Sequence, residues 1–256
     1  FCITNQNMSK QVWLITGTSA GIGKILTEAL LAAGHVVVAT ARNPKNLPFS
    51  ASKDQLLTLP LDVNDSHQIE AVVPEVLKTF GRIDVLVNNA GYGLEGAVEE
   101  LTMTQIRDQM ETNFFGLVHL TQQVIPVMRH QSSGYIVNIS SLAGLRGFKG
   151  FSIYNASKFA VEGFSEAIAQ ELDPFGIRVS VVEPGPYRTD WAGRSLQKSE
   201  ALATMTPDSP YFELNQTLKR WMESADGKQP GDPAQIARIL MQAARHPKPP
   251  LHMLFG

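Results

Sequence analysis

The chain has 256 residues, of which 43% are hydrophobic and 18% are charged, a balance typical of a globular protein with a sizeable core. Its net charge of -2 disfavours binding to nucleic acid or to an anionic membrane. The single cysteine excludes an internal disulfide, the six histidines are scattered and predict no metal site, and no apolar run approaches the roughly 18 residues that span a bilayer. We therefore expect a cytoplasmic protein without a membrane span.

Short apolar segments alternate with helical ones along the chain. The patterns predict strands at 12–16, 36–40, 56–61, 83–87, 135–140, 177–182 and 251–255, and helices at 22–33, 66–80, 102–128, 152–172 and 233–243. Ser66 is the predicted N-cap of the second helix, and Gly81 follows its end. Because the strands are apolar throughout, both faces of their sheet must be covered. This predicts an α/β fold, a doubly wound parallel sheet of Rossmann type with helices on both faces.

We expect the sheet and its helices to form one domain, residues 8–256. Met8 is the expected natural start, which makes residues 1–7 a non-native or disordered leader. A last strand that ends abruptly at Gly256 suggests that a natural tail is missing. Residues 189–231 are rich in Ser, Pro and Asp, and a long irregular stretch of this kind is more often a lid on the substrate side than a domain.

A glycine-rich turn connects the first strand to the first helix and has two interpretations. Its Gly-x-x-x-Gly-x-Gly spacing (17, 21 and 23) suits a dinucleotide, because the backbone can approach the pyrophosphate at a helix N-terminus. Residues 17–21 also match Gly-x-Ser-x-Gly, the nucleophile elbow of a serine hydrolase, with Ser19 as nucleophile and His246 or His252 as base. The hydrolase is disfavoured, because that elbow normally follows several strands and gives Gly23 no role.

A tyrosine and a lysine four residues apart, Tyr154 and Lys158, share one face of the helix at 152–172. The tyrosine pKa is near 10 in isolation, and a neighbouring cation favours the phenolate, as general acid–base catalysis requires. Ser141 follows the fifth strand and residues 88–91 follow the fourth. Because parallel strands end at one edge of the sheet, we expect these polar groups to converge there.

In this order the motifs resemble those of the short-chain dehydrogenase/reductase family from residue 12 to residue 189. The resemblance implies that Tyr154 exchanges a proton with the substrate oxygen, which Ser141 holds, while Lys158 binds the nicotinamide ribose and Asn113 fixes a water. The cofactor-binding set that it implies is Gly17, Thr18, Ser19, Gly21, Ile22, Gly23, Arg42, Asp62, Val63, Asn88, Ala90, Gly91, Tyr154, Lys158, Pro184, Gly185, Tyr187 and Thr189. Asp62 would contact the adenine, and Thr189 the carboxamide or the phosphates. Glu183 and Tyr187 depart from the family pattern on the substrate side.

The end of the second strand indicates NADP as the cofactor. No acidic residue lies between His35 and Lys53, so nothing there would repel a 2′-phosphate, and Arg42 can pair with that phosphate. Thr18, Ser19 and Thr40 could add hydroxyl donors.

The residues expected near the reactive carbon favour a lipophilic or aromatic ketone or alcohol. They are Leu94, Leu145, Phe148, Tyr187, Trp191, Phe212, Leu214 and Trp221. Arg146 and Arg188 are cations that could bind a substrate carboxylate, so a charged substrate remains an alternative. Apolar positions in excess of one stripe on the helix at 152–172 predict a homodimer or homotetramer. The alternatives to a dehydrogenase are the hydrolase, a non-catalytic dinucleotide-binding protein, and a variant that epimerises or dehydrates.

Overall fold

A seven-stranded parallel sheet is the centre of the molecule. The computed structural model describes residues 10–189, 195–225 and 228–255, so the expected leader at 1–7 and Trp191 lie outside the described residues. The strands are β1 (Val12–Ile15), β2 (Val36–Ala41), β3 (Leu56–Pro60), β4 (Val85–Asn88), β6 (Gly134–Ile139), β7 (Ile177–Pro184) and β9 (His252–Phe255). Their order is β3-β2-β1-β4-β6-β7-β9, which confirms the predicted doubly wound Rossmann-type fold.

Helices cover both faces of this sheet. They are α1 (Gly21–Ala32), α2 (Ser66–Phe80), α3 (Met103–Met110), α4 (Gly116–His130), α5 (Ser152–Leu172) and α8 (Pro233–Ala243). In β1, Leu14 packs into the core layer under α2, α4 and α5, whereas Trp13 and Ile15 pack into the layer under α1 and α8. The inner strands therefore need apolar residues at consecutive positions, whereas the edge strand β9 alternates exposed and buried residues.

Two helical details differ from the prediction. Asp65, not Ser66, caps α2, because its carboxylate accepts hydrogen bonds from the backbone N–H groups of His67 and Gln68. The helix expected at 102–128 is interrupted by a π-helical segment (Glu111–Phe115) between α3 and α4. At the start of α4, a Cβ on Gly116 would lie 2.3 Å from the carbonyl oxygen of Val63, so only glycine allows this close approach.

A small second sheet, which the sequence did not predict, joins two distant segments. Strand β5 (Gly93–Glu95) pairs in parallel with β8 (Leu196–Lys198). Two helices, α6 (Glu200–Thr204) and α7 (Phe212–Ala225), follow β8, and we call residues 195–225 the cap segment. The cap segment lies over the start of α5, where Leu218 of α7 contacts Gly150. Within the described residues, none of the helices has the length and apolar character needed to cross a membrane.

Candidate active site

Hydrogen bonds between side chains and backbone groups hold the glycine-rich loop after β1 against the end of β4. The Thr16 hydroxyl accepts from the backbone N–H groups of Asn89 and Ala90, each at 2.9 Å. The Asn89 amide in turn donates to the carbonyl oxygens of Thr16 (2.8 Å) and Gly17 (3.0 Å). A Cβ on Gly23 would lie 2.5 Å from Asn89 Nδ2, so a side chain there would displace the anchoring amide.

The loop presents glycine backbone at the N-terminus of α1. Gly17 and Gly21 have φ values of +69° and +55°, which favour glycine over other residues. The first turn of α1 carries no acidic residue, so its free N–H groups and the positive end of the helix dipole suit an anion such as a pyrophosphate. Thr189 lies beside this turn, with its side chain 3.7 Å from where a Cβ on Gly21 would stand. The residues present therefore fit a dinucleotide.

The hydroxyl groups near the end of β2 are not all available to a ligand. The Thr18 hydroxyl donates to the carbonyl oxygen of Thr40, and the Thr40 hydroxyl donates to that of Ile15, at 3.1 and 3.0 Å. Both threonines are fully buried, and their hydroxyl protons are used in hydrogen bonds within the protein. The expectation that these hydroxyl groups donate to a phosphate is therefore wrong. Ser19 and Arg42 are exposed at this end of the sheet and are the groups that can reach a ligand.

Two other predicted cofactor residues have structural partners. The Asn88 amide is buried and donates to Thr121 Oγ1 and Asn138 Oδ1, at 2.9 and 2.8 Å, so its side chain lies below the loop instead of facing a ligand. The Asp62 carboxylate accepts from the backbone N–H of Asn64 at 3.0 Å and remains half-buried. The sequence singled out Asn88 where the structure gives the anchoring role to its neighbour Asn89, because alternate residues of a strand point to opposite faces.

The four predicted catalytic residues converge at the carboxyl edge of β4 and β6. The Tyr154 hydroxyl is hydrogen-bonded to the Ser141 hydroxyl, and Lys158 Nζ lies 5.9 Å from the centre of the Tyr154 ring. Lys158 Nζ donates to the carbonyl oxygen of Ile139 at 2.9 Å. Asn113 reaches the same place, because a Cβ on Gly91 would lie 3.1 Å from Asn113 Oδ1 and 3.7 Å from Lys158 Nζ.

Burial shifts the pKa values of the tyrosine and the lysine, and the tyrosine value moves in the direction opposite to the lowering expected from the lysine charge. Burial raises the pKa of Tyr154 to about 12, against the opposing effect of the Ser141 hydrogen bond. Burial lowers the pKa of Lys158 to about 8, and the charge of Glu162 opposes this shift. At neutral pH the phenol therefore keeps its proton and the ammonium keeps most of its charge.

A family model described as "short chain dehydrogenase" matches residues 11–200, which include the glycine-rich loop and all four converging residues. The chain belongs to the short-chain dehydrogenase family. Oxidoreductase BOA17 of Botryotinia fuckeliana is 39% identical over 249 residues, covering 96% of this chain and 89% of that protein. Human retinol dehydrogenase 8 is 36% identical over 244 residues, covering 91% and 78%.

Solved structures of the family have the same fold. A short-chain dehydrogenase from Streptomyces avermitilis has a TM-score of 0.86 at 41% identity, covering 97% of this chain and 89% of that one. ElxO with NADP bound has a TM-score of 0.76 at 29% identity, covering 96% of each chain. A structure from Burkholderia phymatum in complex with NAD has a TM-score of 0.80 at 24% identity, covering 96% and 88%, so similar folds hold either cofactor.

Three residues that surround Asn113 in this short-chain dehydrogenase were not predicted, namely Tyr92, Gln109 and Ser157. Asn113 Nδ2 donates to the carbonyl oxygen of Tyr92 (2.9 Å) and to Ser157 Oγ (3.1 Å), and its Oδ1 accepts from the Tyr92 backbone N–H (3.0 Å). Gln109 donates to the same Tyr92 carbonyl oxygen at 2.9 Å. The π-helical segment that contains Asn113 is the deviation that accompanies these bonds.

The side chain of Asn155, next to the tyrosine, organises the loop before α5. It donates to the carbonyl oxygens of Ala143 and Arg146 and accepts from the backbone N–H of Phe148. Its position inside the Tyr-x-x-x-Lys motif was the one signal in the sequence that could have indicated this role. By fastening the loop at both ends, Asn155 holds Ser141 close to Tyr154.

The end of β7 is placed differently from the expectation for Tyr187. Pro184 ends β7, and the backbone N–H of Gly185 donates to the carbonyl oxygen of Phe255 in β9 at 2.6 Å. The Tyr187 ring packs on Gly231 and joins the core layer under α8, so it is buried on that side of the sheet. Arg188 is also occupied, since it donates to the carbonyl oxygens of Gln229 and Pro230.

The predicted apolar residues divide between the site and its surroundings. Phe148 and Leu214 pack with Phe151, Tyr154 and Leu218 in one apolar cluster beneath the cap segment. The ring centres of Trp221 and Phe151 lie 6.3 Å apart. Trp221 is 53% exposed, and Leu145 is exposed as well. Leu94 is fully buried in β5.

The hydrolase interpretation lacks its base. Of the two candidate histidines, His252 Nδ1 is paired with Glu183 Oε1, and His246 Nδ1 accepts from the backbone of Lys248. Neither forms a hydrogen bond with Ser19 among the residues that the structure describes. Ser19 therefore has no group there to remove its proton.

Proposed function

We propose that this short-chain dehydrogenase transfers a hydride between NADP(H) and a carbonyl or secondary alcohol, with Tyr154 as the proton donor. The observation that carries the proposal is the Ser141–Tyr154 hydrogen bond beside Lys158, at the sheet edge that also carries the glycine-rich loop. NADPH supplies the hydride when bound. The roles that we propose for the site residues are supported by this geometry and by membership of the family.

In the reductive direction the side chains would act on the substrate oxygen. Ser141 would hold the carbonyl oxygen by a hydrogen bond, and Tyr154 would donate its phenolic proton to that oxygen as negative charge develops there. Lys158 would bind the ribose hydroxyls and stabilise the phenolate that remains. Asn113 would orient a water that returns a proton to the site.

The preference for NADP rests on Arg42 and on the absence of an acidic residue near it. Arg42 is exposed directly after β2, where the adenosine ribose lies in this fold class. Its planar guanidinium can form a charge-assisted pair with a 2′-phosphate, which the 2′-hydroxyl of NAD does not match. ElxO, which is 29% identical, holds NADP, in agreement with this assignment.

We further propose a lipophilic or aromatic substrate. The cluster of Phe148, Phe151, Leu214 and Leu218 lies directly against Tyr154, so a substrate that reaches the phenol must contact apolar surface. The retinol dehydrogenase among the relatives is named for a lipophilic alcohol. The occupation of Arg188 by backbone carbonyl oxygens lessens the case for a substrate carboxylate. In this arrangement the cap segment would act as the substrate-side lid.

We also propose a homodimer or homotetramer. On α5, Val161, Ile168 and Leu172 are buried in the protein's own core, whereas Phe159 is 48% exposed. Phe115, just before α4, is 52% exposed, which leaves an aromatic ring uncovered near each helix. Light scattering at micromolar concentration tests the assembly: a monomer contradicts it.

The cytoplasmic location stays a prediction, which a fluorescent fusion would test.

The experiment that tests the function is a panel of ketones and alcohols with NADPH and NADH, followed at the absorbance band of the reduced nicotinamide. We expect turnover with NADPH, a lower kcat/KM with NADH, and higher kcat/KM for bulky apolar ketones than for small keto acids. Dinucleotide binding without turnover on any substrate would support the non-catalytic alternative. An equal or higher kcat/KM with NADH would overturn the cofactor assignment.

A further inference from the structure

Three side chains with metal-ligand chemistry meet where α5, β7 and β9 come together, one helical turn along α5 from Lys158. They are Glu162 on α5, Glu183 on β7 and His252, the first residue of β9. His252 Nδ1 lies 2.8 Å from Glu183 Oε1 and 3.7 Å from Glu162 Oε2, and the three ligand atoms all lie within 4.8 Å of one another. The proposed reaction uses none of them.

One member of this cluster is buried without a partner that satisfies it. Glu162 is 6% exposed, and neither of its carboxylate oxygens accepts a well-formed hydrogen bond. Burial raises the pKa of Glu162, the Ser140 hydroxyl beside it opposes this shift, and the charge of Glu183 adds to it. A buried carboxylate in this condition is costly unless a proton or a cation is supplied.

The cluster also carries an excess of negative charge. Glu166, one turn further along α5, has a carboxylate oxygen 3.4 Å from His252 Nε2. Among the described residues, no lysine or arginine forms an ion pair with Glu162, Glu166 or Glu183, and His252 is the one basic group that touches all three. The charge of Glu162 also acts on Lys158, so three carboxylates face two basic groups, Lys158 and His252, and the cluster keeps an excess of negative charge.

We propose that Glu162, Glu183 and His252 bind a divalent transition-metal ion, for which Zn²⁺ is the best match. Zn²⁺ bonds of about 2.0–2.2 Å to nitrogen and oxygen place tetrahedral ligands roughly 3.4 Å apart. The distances from His252 Nδ1 to Glu183 Oε1 (2.8 Å) and to Glu162 Oε2 (3.7 Å) lie on either side of that value. An imidazole with two carboxylates suits Zn²⁺, whereas Mg²⁺ and Ca²⁺ prefer oxygen ligands alone.

The groups around the three ligands hold them as metal sites require. His252 Nδ1 is hydrogen-bonded to Glu183, and a metal ion would take the place of the proton in that bond. Glu166 Oε1 lies 3.4 Å from the far nitrogen of the ring, where it would hold the remaining proton on Nε2. The second oxygen of Glu183 accepts from the backbone N–H of Met253 at 2.8 Å, which orients the carboxylate. The His252 side chain is 37% exposed, so the ion has a path from solvent and a water can complete the coordination.

Calorimetric titration of the full chain with ZnCl₂ at pH 8 tests this proposal. Cys2→Ser is included in every sample to remove the one thiol. We expect one tight equivalent of Zn²⁺, with affinity at least tenfold weaker in His252→Gln and in Glu162→Gln. His130→Gln, which removes an exposed histidine at the end of α4, is the matched control and should bind as the parent does. MgCl₂ in excess should not displace the Zn²⁺.

Thermal melting gives a readout that does not depend on enzymatic activity. Zn²⁺ at about 100 times its Kd should raise the Tm of the parent by roughly 5 °C, and should leave the Tm of His252→Gln unchanged. His252 is on the surface and its replacement keeps the fold, which the melting curve without metal verifies. The proposal is overturned if Zn²⁺ does not bind, or if it binds equally to the parent and to His252→Gln. In that case His252 is only the protonated partner of the three carboxylates.

Discussion

The glycine-rich loop and the cap segment border the same proposed site but are held in different ways. The loop is fixed by hydrogen bonds between backbone groups and the side chains of Thr16 and Asn89, and by glycines that leave no room for a Cβ. The cap segment is held by the pairing of β5 with β8, by side-chain hydrogen bonds such as that from Tyr211 to Glu99, and by the apolar side chains of Leu202 and Leu218, which pack with Phe151 and Tyr154.

This difference corresponds to two kinds of recognition: the loop binds the cofactor that members of the family share, and the cap segment contacts the substrate that an individual member selects. NAD and NADP share the same pyrophosphate, so the loop that binds it requires particular residues at particular positions. A substrate recognised by apolar contact requires only volume and hydrophobicity, which many residues supply. Substitutions in the first region should therefore change cofactor binding and chemistry strongly, and substitutions in the second should change substrate affinity mildly.

The largest effect is expected where the two regions meet, at Tyr154. Tyr154→Phe removes the proton donor but keeps the ring, so kcat should fall by roughly 10²–10⁴-fold while the Kd for NADPH stays nearly constant. Steady-state kinetics and a fluorescence titration of NADPH measure the two quantities. Tyr211→Phe in the cap segment, whose hydroxyl donates to Glu99 at 2.7 Å, is the control and should keep its rate. Near-normal kcat in Tyr154→Phe would show that another group donates the proton.

A methyl group added in the loop should be the next most damaging change. The Cβ of Gly23→Ala would meet Asn89 Nδ2 at 2.5 Å and the Gly17 carbonyl oxygen at 2.6 Å, so the anchoring amide must move. We expect NADPH to bind at least tenfold more weakly, with a loss of about 1–3 kcal/mol in the free energy of unfolding. Gly163→Ala on α5, where nothing lies within 4 Å, should instead stabilise by about 0.5–1 kcal/mol. Equal NADPH affinity in both variants would contradict the close-packing argument.

Loss of the arginine after β2 should discriminate between the cofactors. Arg42→Ala removes a charge-assisted contact, so the Kd for NADPH should rise about tenfold while that for NADH changes little. Lys45→Ala, a nearby exposed cation, controls for a general loss of positive charge. Ala41→Asp should shift the preference towards NADH, because a carboxylate there repels the 2′-phosphate. An equal loss for both cofactors in Arg42→Ala would place the arginine elsewhere than on that phosphate.

The pH dependence of reduction should follow the lysine. The pKa of Lys158 is lowered to about 8 and that of Tyr154 is raised to about 12, so below pH 8 both groups hold their protons. As the pH rises above about 8, Lys158 loses the charge that stabilises the phenolate left by proton donation. The kcat/KM for ketone reduction should therefore fall with rising pH, by up to about tenfold per unit. A profile that rises between pH 8 and 10 would contradict this assignment.

The smallest effect is expected in the cap segment. Leu218→Ala trims the apolar wall beside Phe151, so KM for a bulky ketone should rise roughly threefold with little change in kcat. Lys219→Ala, the exposed neighbour on α7, should leave both constants unchanged. A loss in kcat as large as that of Tyr154→Phe would mean that the cap segment takes part in the chemistry.

Much of the fold was predictable from the sequence because its signals are local. The apolar segments and the spacing of the helices located the seven strands of the large sheet and most of the helices, and residues 152–172 and 233–243 match α5 and α8 as observed. The second sheet was missed, because β5 and β8 have three residues each and pair across a long stretch of chain. The π-helical segment around Asn113 was missed too, since it depends on the tertiary contacts of Asn113 with Tyr92 and Ser157.

The sequence by itself determined the family, the sheet and the residues that converge at its edge. Short-range patterns predict those properties, because each requires particular residue types at a particular spacing along the chain. The tertiary structure decided that Asn89 and not Asn88 anchors the loop, and that Thr18 and Thr40 use their hydroxyl protons inside the fold. It also brought Glu162, Glu183 and His252 together from three separate elements. No local pattern predicts such contacts, because they depend on which side of a strand or helix each residue faces once the elements pack.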